Sequence, residues 1–577
     1  MFNKYFQQEL SYLKELGAEY AEAHPALAPM LSGPSSDPDV ERLLEGVAFL
    51  TGQIREKLDD EFPEIIHELI QLVWPHYLRP VPSCSIITFR PKPALKQSLL
   101  VKAGVQVASL PVEGTVCLFK TCFETEIHPL ELTGAEYIEP SGKPSAIRTT
   151  FQLKGMNLAN WRPGKLRFHL AGNYGEAAGN NLLFRRDVKS IVIRTADGRV
   201  LKVLGPEAIR PVGFAEGEGV IPYPSHSFQP YRILQEYFIF PQKFLFFDLE
   251  GLGDIHYAGD ASAFEILFEL KKQPQARPRI RTESLRLFAT PVINLFPFEA
   301  DPIRADHKQS EYLVRPASSN TRHYQVYSVE DVVGHVQGTA QERKYSHFNC
   351  FNHDGKNSLV YQLSLKKSPV RPGADSYLQV SYPRDGGLPV TEILSLKLVC
   401  TNGDLPENLR VGDISQATSS SPEFAEFSNI MQPTFGVYPP FGRNLLWRLL
   451  AHLNLNYVSL SSADNLKALL DIYLFPETRD RTGLLANKKR IDGIEQVTAK
   501  PANRLVSALI LRGQDISVKA RSDHFAGEGD FYLFGCVLDE FFGLYSSLNA
   551  YSRFTLYDSF RGETYQWPAR TGEHPLI

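Results

Sequence analysis

The sequence predicts an α+β protein with N-terminal helices, a large, mostly antiparallel β-rich middle region and a mixed α/β C-terminal region. Three observations carry this. Apolar residues recur at helical spacing over the first 75 residues, and from Pro80 to about Gly403 the pattern becomes strict alternation. Aromatic residues make up 11% of the 577 positions, led by 36 Phe and 25 Tyr, which favours sheet. The changes of period divide the chain into 1–80, 81–403 (long enough for two sub-domains) and 404–577. Length alone suggests about three or four domains.

The first helix places Phe6, Leu10, Leu13, Leu16 and Tyr20 at spacings of three and four, one continuous stripe. "HPALAPMLSGPSSDPD" breaks it with prolines and Gly33. The second helix starts with Asp37 as N-cap and Pro38 at the first helical position. Val40, Leu43, Leu44, Val47, Leu50, Ile54 and Leu58 run down its side. A third begins near Pro63, where Asp59, Asp60, Glu61 and Glu64 suit the positive end of the helix dipole. It carries Ile65, Ile66, Leu69, Ile70 and Val73 before Pro75 ends it. Such short helices hold too little chain for a core of their own, so the stripes must pack on the protein's β body or on a partner. Phe6, Leu10, Leu13, Leu16, Leu43, Leu44, Val47 and Leu50 are therefore candidate partner contacts.

In the middle region "KLRFHL" and "SIVIRTADGRVLKVLG" alternate, the latter with Asp197-Gly198 between two runs, a hairpin signature. "EYFIFPQKFLFFDL", "AFEILFEL", "LRLFATPVINLF", "SLVYQLSL" and "YLQVSY" read as further short strands. Beyond the Ser-rich "QATSSSPE" helices return, one N-capped by Ser461 or Ser462 with Leu466, Leu469, Leu470, Tyr473 and Leu474 on one face. Near the end Val537, Leu538, Phe541, Phe542, Tyr545 and Leu548 share a broad helical face, with strands expected at "YLFG" before it and "RFTLY" after it. Phe542 and Tyr545 stand at its rim, either as core or as interface anchors.

Motifs for chemistry are missing. "HELIQ" at His67 is one letter from the zinc-protease HExxH, but Gln71 replaces the second ligand and His76 lies beyond Pro75. "HFNCFNHD" offers His347, Cys350, His353 and Asp354, yet no second half-site follows to close a structural zinc. There is no GxxxxGK[ST] loop and no GxSxG elbow, and "GLGDIH" lacks the third Rossmann glycine. His452 among leucines reads as a core histidine. No cofactor or metal is expected. Six cysteines without a CxxC pair suit a reducing compartment. Net charge is −4, which gives no reason to expect nucleic acid. Residues 1–80 hold 14 Asp and Glu against 6 Lys and Arg, an acidic head on a mildly basic body. The five cations of "KKQPQARPRIR", Lys271 to Arg281, suit a solvated loop or an acidic partner surface. "MFNKYFQQEL" has no secretory apolar stretch, and no apolar run reaches the ~18 residues of a membrane span, so a soluble cytoplasmic protein is expected.

One resemblance joins these blocks. "QQELSYLKELGAEYAEAHPALA", "DPDVERLLEGVAFLTGQIREKLDDEFPE" and "PHYLRPVPS" resemble the opening of the TssF (VasA/ImpG) family of type VI secretion baseplate subunits. "PQKFLFFDLEGL", "TPVINLFPFEADPI", "YQVYSVEDVVG", "LVCTNGDLPENL", "WRLLAHLNLNYVSL" and "GEGDFYLFGCVLDEFFGLYSSLNAYSRFTL" continue it in family order. The resemblance implies a structural protein without catalysis and a fold like that of phage-tail baseplate wedge proteins. It implies a wedge of two TssF copies with one TssG, engaging TssK and TssE, with the VgrG spike and sheath as indirect partners. Membrane attachment would come through the membrane complex alone. It also makes Asp59, Asp60, Phe62, Pro63, Glu64, Pro75, His76, Arg79 and Pro80 an architectural signature. Two other classes remain: a cytosolic metal-dependent hydrolase, which would hold stoichiometric metal, and a β-rich carbohydrate-binding module, which would be a monomer that retains sugar.

Overall fold

The computed structural model describes residues 4–24, 38–59, 70, 75–142, 144–223, 230–253, 260–274, 276–336, 338, 341–348, 359–368, 373–381, 390–440, 462–476, 478–506, 509–546 and 550–572. Two compact units organise them, a small one around the first 74 residues and a large one that begins at Pro75. The small unit holds α1 (Lys4–Ala23) and α2 (Pro38–Asp59). Of the third expected helix, only Ile70 lies within the described residues, helical and fully buried.

The large unit is built from sheets. A five-stranded sheet joins Cys84–Pro91, Gln106–Val112, Thr115–Thr121, Ala289–Ile293 and Ala425–Asn429. A second five-stranded sheet contains the expected hairpin, in which Val188–Thr195 pairs antiparallel with Val200–Leu204. The turn works because Gly198 adopts φ +92, a conformation that a side chain would strain. Four- and eight-stranded sheets complete the middle region, and nearly all of their pairings are antiparallel. Aromatic rings fill the spaces between them. Phe151 stacks on Phe264 with centroids 5.0 Å apart, and Phe247 lies against both Phe168 and Phe184.

The unit draws on both sides of residue 403. Ala425–Asn429 extends the sheet of Cys84–Pro91, and the C-terminal helix packs on two helices of the middle region, α3 (Tyr174–Leu182) and α4 (Pro230–Ile239). Next come α5 (Ala463–Ile472), whose N-cap is Ser462, its hydroxyl accepting from the Asn465 N–H at 3.1 Å, and α6 (Arg481–Asp492). The last sheet contains a parallel pair, Leu509–Ala520 with Ala550–Asp558, and α7 (Glu528–Tyr545) makes the crossover that parallel strands require. The α+β class predicted from the sequence is the observed one.

Two expected strands are helical. "EYFI" belongs to α4, which starts at Pro230 and buries nine of its ten residues. "YLFG" lies inside α7. α7 is largely apolar around its circumference, and α4 buries its polar Arg232, Gln235 and Glu236 along with its apolar residues, so in neither does polarity mark a solvent face. Phe542 is also settled: it is 2% exposed, with Phe541 at 5.5 Å and Phe554 at 5.6 Å. It is core, and the proposed rim anchor is corrected on that point. The side chain of Tyr545 lies outside the described residues. We predict that Phe542→Ala costs roughly 3–5 kcal/mol, the usual penalty for emptying a buried aromatic site. Thermal denaturation of the isolated chain checks this, and an unchanged melting temperature would contradict it.

Candidate assembly surfaces

In the small unit α1 and α2 meet through small residues. Ala21, Ala48 and Gly52 are buried, and a Cβ on Gly52 would lie 3.1 Å from the Phe6 backbone nitrogen. Gly52 faces Phe6 while Glu41 bridges to Lys14 at 2.9 Å, so the helices run antiparallel. A second bridge joins Arg55 to Glu9 at 2.5 Å. Exposed bridges of this kind contribute about 0–1 kcal/mol each.

The larger apolar side chains are left outside. Leu43 is 69% exposed, Val47 40%, Leu50 61% and Ile54 59%, and their 4-3-4 spacing makes one stripe down α2. Tyr12, Leu16 and Tyr20 form a similar exposed row on α1. Phe6, Leu10, Leu13 and Leu44 are half-buried. The candidate contacts thus divide into a seam that holds the helices together and an apolar face that the described residues of this unit leave open.

Of the signature residues, Asp60, Phe62, Pro63 and Glu64 lie outside the described residues, and Asp59 is the last residue of α2. Pro75 opens a 3₁₀ turn, Pro75–Leu78. His76 is buried with its ring 3.9 Å from that of Tyr223. The Tyr77 hydroxyl donates to the Ile472 carbonyl at 3.3 Å, and the Arg79 guanidinium lies 5.3 Å from the Tyr327 ring centroid. Pro80 is buried, and Val81 pairs with Val437. These residues seam the start of the large unit to its later segments.

No chemistry gathers at the other candidates. His67, Cys350, His353, Asp354 and His452 lie outside the described residues. His347 sits at a strand end beside Tyr361, and burial holds its imidazole below its usual pKa. Among the described residues no group of three His, Cys, Asp or Glu side chains could hold a metal ion. Burial raises the thiols of Cys84, Cys117, Cys122 and Cys536, the opposite of what a nucleophile needs. In the basic loop Lys271 donates to the Arg186 carbonyl, Arg279 bridges to Glu176 and the Arg277 guanidinium lies 6.0 Å from the Tyr137 ring centroid, so three of its five cations serve this chain.

Two buried ion pairs have no signature among the motifs read above. Lys243 and Glu236 are both essentially unexposed and bonded to each other. Glu236 also accepts from the N–H groups of Val220 at 2.6 Å and Ile221 at 2.8 Å, and Lys243 donates to the Glu218 carbonyl at 3.1 Å. Burial lowers the Lys243 pKa, and Glu236 opposes that shift. The second pair joins α6 to α7: Arg490 bonds Asp530 through Nε at 3.0 Å and its terminal nitrogen at 2.9 Å. Asp530 further accepts from Tyr174 at 2.6 Å, Tyr237 at 3.2 Å and the Ala526 N–H at 3.0 Å. Charged residues at these spacings carry no motif; a polar residue within an apolar helical run, such as Glu236 or Asp530, is the one signal available.

We predict that Arg490→Met destabilises the fold by about 3–5 kcal/mol, because Asp530 would stay buried without its cation. Denaturant titration measures it, and a cost within the ~0.5 kcal/mol of ordinary surface changes would refute it. A pH effect follows from Asp539. Burial raises its pKa from 3.8 to about 6, against the pull of Arg570, whose Nε lies 2.7 Å away. Between those values the folded chain keeps a proton that the unfolded chain has released. The stabilising contribution is therefore complete below pH ~4 and is lost as pH rises through about 6. Asp539→Asn should remove a decline on the order of 2–3 kcal/mol between pH 4 and 7, seen as a flatter stability profile than that of the parent.

Comparison with known proteins bears on the whole chain. The sequence model of the family described as "Type VI secretion system, TssF" matches residues 1–574. The "Type VI secretion system component TssF1" of Pseudomonas aeruginosa PAO1 is 28% identical, with 100% of this chain and 99% of that protein aligned. Among solved structures, a chain of the TssK-TssF-TssG baseplate subcomplex superposes with a TM-score of 0.77 at 29% identity, covering 93% of this chain and 99% of that one. A chain of the type VI secretion baseplate complex gives 0.64 at 24% identity over 99% and 100%, a likeness of fold.

Proposed function

The chain belongs to the TssF family of type VI secretion systems, and from that premise we propose that it is a structural subunit of the baseplate wedge. The observation that carries this reading is the likeness to a chain of a TssK-TssF-TssG subcomplex, which extends over 93% of this chain and 99% of that one. The chain works as a scaffold and not as a catalyst. TssG and TssK are its direct partners, with a second copy of the chain sharing one TssG. TssE and the sheath lie further along the same platform, and the VgrG spike stands at its centre. No helix among the described residues is long and apolar enough to cross a membrane, so attachment to the inner membrane face would come through other proteins of the system.

Within this role the small helical unit supplies a bundle face. Leu43, Val47, Leu50 and Ile54 form an apolar seam of heptad spacing that a partner helix from TssG or the second copy would cover. The signature residues Pro75, His76, Arg79 and Pro80 serve architecture, fixing how the chain enters its sheets.

Co-expression with TssG followed by mass measurement tests the reading directly: a stable complex of two chains with one TssG is expected. Leu50→Asp places a charge on the open seam, where burying it unpaired would cost several kcal/mol. The variant should keep the parent's melting temperature and lose TssG in a pull-down. Normal TssG recovery would remove the seam from the interface.

A further inference from the structure

A cavity of about 360 Å³ lies in the large unit, between the loop that follows Ala215 and the turn at Ala103-Gly104. Arg232 of α4 and Lys120 line it, and Val220, Ile221 and Pro222 give it an apolar wall. Ala103, Gly104, Glu216 and Gly217 also line it and are exposed, so the cavity communicates with solvent. Gly219 brings its backbone against Arg232. A Cβ there would fall 2.5 Å from Nη1, so any side chain would displace the guanidinium from its place.

The two cations of this cavity lack counter-charges. Arg232 is 5% exposed, yet it forms no ion pair among the described residues. A guanidinium has five N–H donors. Two of Arg232's are used, on the carbonyls of Glu216 at 2.8 Å and Ala215 at 3.1 Å, and its Nε is buried and bonded to nothing among the described residues. Lys243, the other buried cation of this region, has the Glu236 carboxylate; Arg232 has carbonyl oxygens alone. Lys120 is half-buried, and its ammonium has no bond among the described residues. Burying a charge is costly unless an opposite charge meets it. Of the lining residues Glu216 is the one carboxylate, so two cations against one anion leave the cavity with a single positive charge.

We propose that this cavity binds an organic monocarboxylate, its carboxylate held by Arg232 and Lys120 and its apolar stem laid against Val220 and Ile221. The donors of a guanidinium match a planar carboxylate, and an ammonium adds a second charge-assisted bond. One net positive charge suits a monoanion. Phosphate, largely a dianion at neutral pH, would meet the Glu216 carboxylate with charge to spare, and it has no stem for the apolar wall. A pocket of this volume with an apolar lining and a few polar groups has the usual make-up of a small-ligand site. The same chemistry occurs on a free organic acid and at a chain end or glutamate side chain of a neighbouring protein. The inference does not depend on the baseplate reading.

The test uses the full-length chain with hexanoate as the probe, followed by saturation-transfer NMR and by thermal denaturation. Hexanoate should take up saturation from the protein and raise its melting temperature. Arg232 also holds the 215–216 backbone, so the variant of choice is Lys120→Glu, which gives up no hydrogen bond within the chain. It should weaken hexanoate binding by at least about tenfold, because attraction becomes repulsion, and it should melt with the parent when hexanoate is absent. Hexanoate binding that persists when the chain is held with TssG and TssK assigns the site to a free acid. Loss of that binding in the complex, with carbodiimide coupling of Lys120 to another chain, assigns it to a neighbour's carboxylate. No hexanoate binding by the free chain, or binding that Lys120→Glu leaves unchanged, overturns the proposal. Inorganic phosphate that displaces hexanoate at a lower concentration than hexanoate's own would overturn it too, in favour of a phosphate site.

Discussion

Asp530 holds the large unit together. It is fully buried, and one carboxylate there accepts from Arg490 of α6, Tyr174 of α3, Tyr237 of α4 and the backbone just before α7. Removing a carboxylate and a guanidinium from water is costly, and the attraction between them offsets that cost only when their remaining hydrogen bonds are made. Here they are: Arg490 also donates to Asn487, which in turn donates to the Phe238 carbonyl. Four helices far apart in sequence are fixed to one point, so the network contributes as much to the uniqueness of the packing as to its stability.

The Lys243–Glu236 pair does the same for a loop. Glu236 takes the N–H groups of Val220 and Ile221, Lys243 the Glu218 carbonyl, and Arg232 the carbonyls of Ala215 and Glu216. A segment from 215 to 221 with little secondary structure of its own thereby has its backbone satisfied by side chains of α4 and the turn after it. Close contact tolerates no bulk there: a Cβ on Gly213 would meet the Lys243 carbonyl at 2.6 Å.

The two units differ in where they place bulk. In the large unit aromatic rings are inside, and buried charges meet partners, as Lys243 does Glu236 and Arg490 does Asp530. Between α1 and α2 of the small unit alanine and glycine are inside, while Leu43, Leu50 and Ile54 of α2 are out. A chain selected for solubility alone would do the reverse, since an apolar stripe left in water gains nothing from burial. The arrangement makes sense for a protein whose folding is completed by its neighbours.

Much of this was written locally in the sequence. The Ser462 cap, the Asp197-Gly198 turn, the alternating strands and the helical stripes of residues 4–59 depend on contacts within a few positions, so spacing alone determines them. The stripes were legible as candidate interface, yet which of their residues face in depended on Gly52 letting the helices approach. Helices α4 and α7 misled the reading for a physical reason. Inside α7 burial no longer selects a face, and an apolar run such as "YLFG" loses the period that would identify it, while in α4 the polar Arg232, Gln235 and Glu236 are buried too and mark no solvent side. The rim position of Phe542 failed likewise, because the strand that covers it, Ala550–Asp558, arrives through a parallel crossover. The pairing of Asp530 with Arg490 and of Glu236 with Lys243 was decided by tertiary structure alone: a buried charge finds its partner wherever the fold brings one, and sequence distance does not encode that meeting.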